Sequence, residues 1–312
     1  MDFVGKRNWF FGLSLAVIVP GILSMAVLGF NLGIDFTGGT LFTLKFNQPV
    51  RTTALQAEVN RLNLGGVVQA AGGRTFYIQA KPLQPIQESA AETALAQRFG
   101  GVDQKASSIS VVGPTIASEL IVGAGVAVAA AAVLITAYLA LRFRRAPGGG
   151  LAFGAAAIAA LLHDVFVITG IFSILGRVFN LEIAQINSLF VTAVLTVVGF
   201  SVHDTIVIFD RIRENLRTNP RLTFEQAVNL SIIQSAARSI ITSFTVILVL
   251  LALFLFGGTT IKGFVLALLI GVFSGTYSSI FNASPLLVVW RRWSPALQSS
   301  AAKRPAARLA RN

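Results

Sequence analysis

The chain has no cysteine among its 312 residues, which removes disulfides, thiolate catalysis and Cys-ligated metal sites together. It is also short of charge. Lys, Arg, Asp and Glu make up 12% of the sequence, where a soluble domain usually carries about 25%. Acidic residues number 13 against 25 basic ones, and there are two histidines. The glycines of GIDFTGGT (Gly33, Gly38, Gly39) lack P-loop spacing and a following lysine-serine pair, so they read as a tight turn and not as a phosphate cradle. No cofactor or metal is expected. What is abundant is apolar surface: 54% of the residues are hydrophobic and the mean hydropathy is +0.73.

That apolar content is gathered into six runs that reach or approach the ~20 residues needed to cross a bilayer. They cover 9–30, 120–141, 151–175, 186–209, about 231–256 and about 264–290. The fold class is therefore a polytopic α-helical membrane protein with six transmembrane helices. The first run is longer than a signal-peptide core and has no small-residue cleavage site behind it, so it is expected to be retained. Cations mark the ends unequally. Lys6 and Arg7 precede the first run; Arg142, Arg144 and Arg145 follow the second; Arg211, Arg213, Arg217 and Arg221 follow the fourth; Arg291 and Arg292 follow the sixth. The short connections on the other side hold only Arg177 and Lys262. The positive-inside pattern places both termini in the cytoplasm. It makes 1–8 a cytoplasmic N-terminus, 210–230 a cytoplasmic loop, and 291–312 a basic cytoplasmic tail. The tail cations (Lys303, Arg304, Arg308, Arg311) suit solvent or anionic lipid in preference to nucleic acid.

Residues 31–119 fall outside and change character. Thr40 to Phe46 alternates as a strand, and Thr52 to Asn63 is amphipathic at helical spacing. Val67 to Ala71 and Arg74 to Ala80 are strand-like runs joined by Gly72-Gly73, a hairpin signal. Gln84 to Phe99 returns to helical spacing, and Ser107 to Val112 is a last short strand. The order βαββαβ is that of a small α+β, ferredoxin-like exterior domain between helices 1 and 2. It contains no nucleophile, metal cluster or phosphate loop. After Pro220, Thr223 and Gln226 form a capping box that starts a short interfacial helix merging into the fifth span.

The candidate functional residues are the polar groups inside the spans. Asp204 lies in the fourth, within GFSVHDTIVIFDRIREN (199–215), and Arg238 enters the fifth. A charge at membrane depth costs ~3 to above 10 kcal/mol unless a partner or water receives it. Counted from Arg211 and Ser231, each residue lies seven positions inside its boundary, or ~10 Å at 1.5 Å per residue. The two spans are antiparallel neighbours, so a direct or water-bridged Asp204–Arg238 pair is expected. Arg238, Thr242 and Thr245 share one helix face, as a polar channel lining would. A carboxylate beside a fixed cation can gain and lose a proton as water access changes; the competing interpretation is a static ion pair that sets helix register. His163-Asp164 in the third span and His203 in the fourth are candidates for a polar relay or for structural hydrogen bonds. Two aspartates on neighbouring spans also raise an intramembrane aspartyl protease, against which stand the missing glycine-flanked aspartate and the nearby arginine. Gly263, Gly271 and Gly275, with Ser274, Ser278 and Ser279, read as close helix packing.

Taken together, FNLGIDFTGGT at the end of the first span, VVGPTIASEL closing the exterior domain, LLHD in the third span and GFSVHDTIVIFDRIREN in the fourth resemble the SecF family. The continuation SIITSFTVILVLLALFLFGG and ALLIGVFSGTYSSIF also fits, so the similarity runs over about 3–292 with the motifs in order. The resemblance implies one half of an RND-superfamily machine. It would partner SecD and assist protein export after the SecYEG channel and its SecA motor. It would use the proton-motive force, and the exterior domains would act on unfolded preprotein. It further implies that Asp204 carries the proton, with Arg238 and Thr242 beside it, in the inner membrane of a bacterium. An enzyme is not implied. The other open readings are half of an RND-type small-molecule or ion exporter, and a non-conducting scaffold; sodium in place of the proton also stays open.

Overall fold

The computed structural model describes residues 2–144 and 150–293. The expectations for Arg145 and for the tail beyond 293 lie outside the described residues. Within them, six helices are long and apolar enough to cross a membrane. The elements run α1 (Arg7–Val27), α2 (Ile34–Thr37), β1 (Gly39–Lys45), α3 (Thr52–Arg61), β2 (Val67–Gly72) and β3 (Thr75–Ala80). There follow α4 (Pro85–Arg98), β4 (Ser108–Val112), α5 (Pro114–Arg142), α6 (Gly150–Arg177), α7 (Ser188–Thr218), α8 (Phe224–Phe256), α9 (Lys262–Ser278) and α10 (Ser284–Trp293). The spanning helices extend past several of the apolar runs. α7 continues nine residues beyond Phe209, and α8 begins at Phe224, so the expected interfacial helix and the fifth span are one continuous rod. Thr223 and Gln226 make the capping box that starts it.

α6, α7 and α9 form the centre of the bundle, with α1 packed on α6 and α8 packed on both α7 and α9. Small residues set these approaches. A Cβ on Gly21 would meet the Gly170 backbone at 2.9 Å, so α1 and α6 touch main chain to main chain. A Cβ on Gly271 would overlap Val197, and one on Gly275 would meet Ser201 Cβ at 2.9 Å, which seats α9 against α7. The sixth span is not one regular helix. Pro285 has no amide proton to give the carbonyl four residues earlier, and the chain widens over Ser279–Ala283 into a π turn before α10 resumes. By contrast α5 and much of α8 leave large apolar side chains exposed, among them Val122, Val126, Leu134, Ile241 and Val249, as a lipid-facing or partner-facing wall does.

The inserted domain is a four-stranded sheet of order β2-β3-β1-β4, antiparallel throughout. Alternation along β1 turns Phe42 and Leu44 into the core, where Phe46 just beyond the strand joins them, and turns Thr43 and Lys45 outward. Leu55 and Val59 of α3, Leu95 of α4 and Ile78 of β3 complete that core. The domain is clamped to the bundle where α1 ends. Gly33 N–H donates to Ile186 O and Ile186 N–H to Asn31 O, both at 2.8 Å, and Asp35 Oδ2 accepts from Ser188 N–H at 2.8 Å on the first turn of α7. Gly39, at φ +130, starts β1 so close to Ala80 O that no side chain fits.

Two outcomes test this architecture. Replacing Gly271 with Ile forces α9 off α7 and lowers the unfolding temperature of the purified protein in detergent, whereas Gly123→Ile, whose Cβ meets nothing within 4 Å, leaves it unchanged. The second concerns the turn Glu182–Ala184 between α6 and α7, where burial pushes the Glu182 carboxyl from 4.5 up to about 8. Between those values the folded state holds a proton that the unfolded state has lost, so stability falls as pH rises from 4.5 to about 8. Glu182→Gln removes that loss. Its advantage over the parent protein is absent at pH 4, full at pH 9, and read from thermal unfolding across the range.

Candidate functional site

Two carboxylates are buried in the bundle, and their surroundings differ. Asp164, near the middle of α6, is 1% exposed and fully satisfied. Its Oδ2 accepts from Ser201 Oγ of α7 at 2.6 Å and from Ser278 Oγ of α9 at 2.8 Å. Its Oδ1 accepts from Ser274 Oγ of α9 at 2.7 Å, and His163 Nδ1 lies 3.0 Å away. Ser274 and Ser278 are one turn apart, so both hydroxyls of that face reach one carboxylate. The expectation that Ser274, Ser278 and Ser279 serve close packing is thus corrected: the glycines supply the approach, and the serines supply hydrogen-bond donors. Ser279 continues the network, donating to Ser201 O at 3.1 Å and sharing a 2.8 Å bond with Thr205. On the other side His163 faces Tyr277 with ring centroids 6.2 Å apart, and Tyr277 donates to Phe10 O of α1 at 2.8 Å.

Asp204 is the opposite case. It is 3% exposed, yet among the described residues its Oδ2 has no hydrogen-bond partner, and neither has the buried Ser239 Oγ. The carboxylate faces Ser239 and Ser243 of α8. Ser243 is in turn in hydrogen-bond contact with Thr276 of α9. His203 Nδ1 stands 3.8 Å from Asp204 Oδ1, but its ring points outward with 67% of the side chain exposed.

The expected Asp204–Arg238 pair is not formed: among the described residues no ion pair joins them, and Arg238 is exposed. The physical reason is helical phase. Ser239 is the α8 residue turned toward α7, and its predecessor points about 100° away. Arg238, Thr242 and Thr245 do share a face, as the spacing requires, but it is the outer one. Thr242 hydrogen-bonds back to Arg238 O, and Thr245 to Thr242 O at 2.8 Å. Sequence spacing missed Ser239, Ser243 and Thr276. The signal available was the strict four-residue repeat Ser231, Ser235, Ser239, Ser243, all four of them buried.

An inserted α+β domain, six spanning helices and a core of buried carboxylates and hydroxyls define a multi-pass membrane protein with ionisable machinery in its interior. Comparison with known proteins narrows this. The profile described as "Protein export membrane protein SecD/SecF, C-terminal" matches residues 91–293, and the "SecD/SecF GG Motif" matches 23–50. The chain is 46% identical over 303 residues to the protein translocase subunit SecF of Thermobaculum terrenum, covering 93% of this chain and 94% of that one. It is 40% identical over 305 residues to its counterpart in Anaerolinea thermophila, with coverages of 93% and 94%. The crystal structure of SecDF from Thermus thermophilus superposes with a TM-score of 0.83 at 33% identity over 94% of this chain and 39% of that longer one. The chain belongs to the SecF family of protein-export membrane proteins.

If the donors around Asp164 join α6, α7 and α9, Asp164→Leu costs about 3–5 kcal/mol. Ser274→Ala, which removes one of several donors, costs about 1–2 kcal/mol. Thermal unfolding of the purified protein in detergent reads both; equal, small losses would count against the network.

Proposed function

We propose that the chain is one subunit of an accessory complex that uses the proton-motive force to promote late steps of protein translocation through the SecYEG channel, fed by SecA, with SecD as its partner. The observation that carries this is the pairing of an unsatisfied intramembrane carboxylate, Asp204, with an uncovered cationic stripe, Arg238, Thr242 and Thr245. A guanidinium facing hydrocarbon at this depth is costly, so that face calls for a partner surface. The Thermus thermophilus relative named SecDF, of which this chain spans 38%, supplies the likeness: the remainder of such a protein would complete the polar path at a pseudo-symmetric interface. The single six-helix unit is then the RND-like half of a pair, and alone it transports nothing.

Arg142, paired with Asp210 at 3.0 Å, and Arg292, paired with Glu225 at 2.6 Å, lie at the helix ends we assign to the cytoplasm, together with both termini. Residues 31–119 then face outward as a ferredoxin-like domain in contact with emerging, unfolded preprotein. The setting is the lipid bilayer of a bacterial inner membrane, with no enzymatic step, cofactor or nucleic acid involved. Asp204 takes up the proton, and Arg238 and Thr242 respond across the shared interface with SecD. His163 and Asp164 hold the helices that move; His203 and Thr245 line the partner-facing side. Each proton contributes ~2.3 kcal/mol per 100 mV plus ~1.4 kcal/mol per pH unit. A few protons therefore suffice to bias a conformational step.

The experiment is potential-dependent export with Asp204→Asn, co-expressed with the SecD partner and with assembly checked by co-purification. The expected result is an intact complex that has lost the potential-dependent component. Normal export would leave Asp204 as packing and the subunit as a scaffold. Under the scaffold alternative, Asp204→Asn combined with Arg238→Gln also exports normally; under the proton-driven one the double variant assembles and stays inactive.

A further inference from the structure

The route by which a proton leaves Asp204 has a physical candidate within this chain. α7 and α8 run antiparallel, and two contacts set their register. At the cytoplasmic end Asn215 Nδ2 donates to Ser231 Oγ at 2.8 Å, and eleven residues back along α7 Asp204 faces Ser239 and Ser243. Between these points α8 turns Ser231, Ser235 and Ser239 inward, all buried, one every four residues. Four residues rise ~6 Å, a gap that one water with a hydrogen bond of ~2.8 Å on either side spans. A row of small residues alone shows nothing. Here it ends on two groups that lack a partner among the described residues and are more than nine-tenths buried, Asp204 Oδ2 and Ser239 Oγ. Unsatisfied polar atoms in so dry a place mark a position for a water or a transferred proton.

We propose that Ser239, Ser235 and Ser231 form the cytoplasmic half of the proton path, on the inner face of α8, one position round the helix from Arg238 and leading away from the partner-facing stripe. The proposal rests on the function given to Asp204 above. The proton leaves Asp204 Oδ2 for a water at Ser239. Each hydroxyl and water then accepts one proton from the membrane side and releases its own toward the cytoplasm, so the serines end unchanged. The α7 strip opposite reads Asp204, Ile208, Arg211, Asn215, at helical positions i, i+4, i+7 and i+11. Ile208 is fully buried and is the one apolar group of that strip between the carboxylate and the surface. At the mouth Gln234 Oε1 accepts from Arg211 Nε at 2.7 Å and from Asn215 Nδ2 at 2.9 Å. The path is therefore shut in this conformation, by Ile208 inside and by the Gln234 clasp outside. Both barriers must part for release, which is the one-sided access that a coupled cycle requires. The charged groups nearest it are Asp204 with His203 at its inner end, Arg238 on the adjoining face of α8, and Arg211 at the mouth. Asp210 beyond them is held by Arg142 and Arg213.

The test uses the complete complex with SecD in vesicles that carry a pH-sensitive dye, with proton entry driven by an imposed potential. Ser235→Val and Ser239→Val fill the gaps with methyl groups and are expected to cut the flux at least tenfold, while Ser235→Thr, which keeps the hydroxyl, recovers most of it. Parental flux in both valine variants, in complexes where Asp204→Asn abolishes it, overturns the serine route and leaves Asp204 standing. Flux that survives Asp204→Asn overturns the role of Asp204 and the route together. A second measurement does not depend on the valine variants assembling. Ser235→Cys would be the only cysteine in this chain. It is expected to react with a small water-soluble thiol reagent from the cytoplasmic side when a potential is applied. Complete protection under potential overturns the route.

Discussion

Burying the Asp164 carboxylate at the centre of a membrane bundle is the constraint on which the remaining architecture depends. An uncompensated charge there would cost several kcal/mol, and the fold meets it by bringing donors from three helices to one point. That demand explains otherwise separate features. Gly271 and Gly275 exist so that α9 can come close enough to α7 for Ser274 and Ser278 to reach across. The π turn at Ser279–Ala283 aims Ser279 at Thr205 and at the Ser201 carbonyl while absorbing Pro285.

Asp204 gains its distinctive state from the same arrangement. The α7 residues one turn either side of it are engaged, Ser201 by Asp164 and Thr205 by Ser279. α7 is therefore held on its α6–α9 side, and Asp204 is left facing α8 with an oxygen unsatisfied. A saturated carboxylate serves as an anchor, and an unsaturated one can change protonation state without dismantling the bundle. The division of labour between two chemically identical side chains is set by hydroxyl count. The exterior domain joins this frame at the first turn of α7, through Asp35 and the Gly33–Ile186 pairing, so movement of α7 and of that domain share one joint.

Much of the fold was legible from the residues. Six apolar runs, the alternation of Thr40 to Phe46, the Gly72-Gly73 turn and the Thr223 cap appear as helices, strands, hairpin and capping box, because each is a local consequence of side-chain periodicity or hydrogen bonding. Asp204 and Asp164 were also conspicuous, since a carboxylate in an apolar run is costly wherever it points. Their partners were not. Arg238 looked like the natural counterion of Asp204, and spacing put both at the same depth. One residue of helical phase turned Arg238 outward and Ser239 inward.

What the sequence by itself determined is everything that follows from composition and short-range periodicity: the membrane class, the number and limits of the spans, the order of the inserted domain, and the presence of ionisable groups at membrane depth. What only the tertiary structure decided is which of those groups meet. Depth along a helix is a sum over residues and can be counted. The direction a side chain faces relative to a neighbouring helix depends on how both rods rotate to satisfy all their contacts at once. Around Asp164 that rotation was settled by Ser201, Ser274 and Ser278, residues 37 to 114 positions away in the chain.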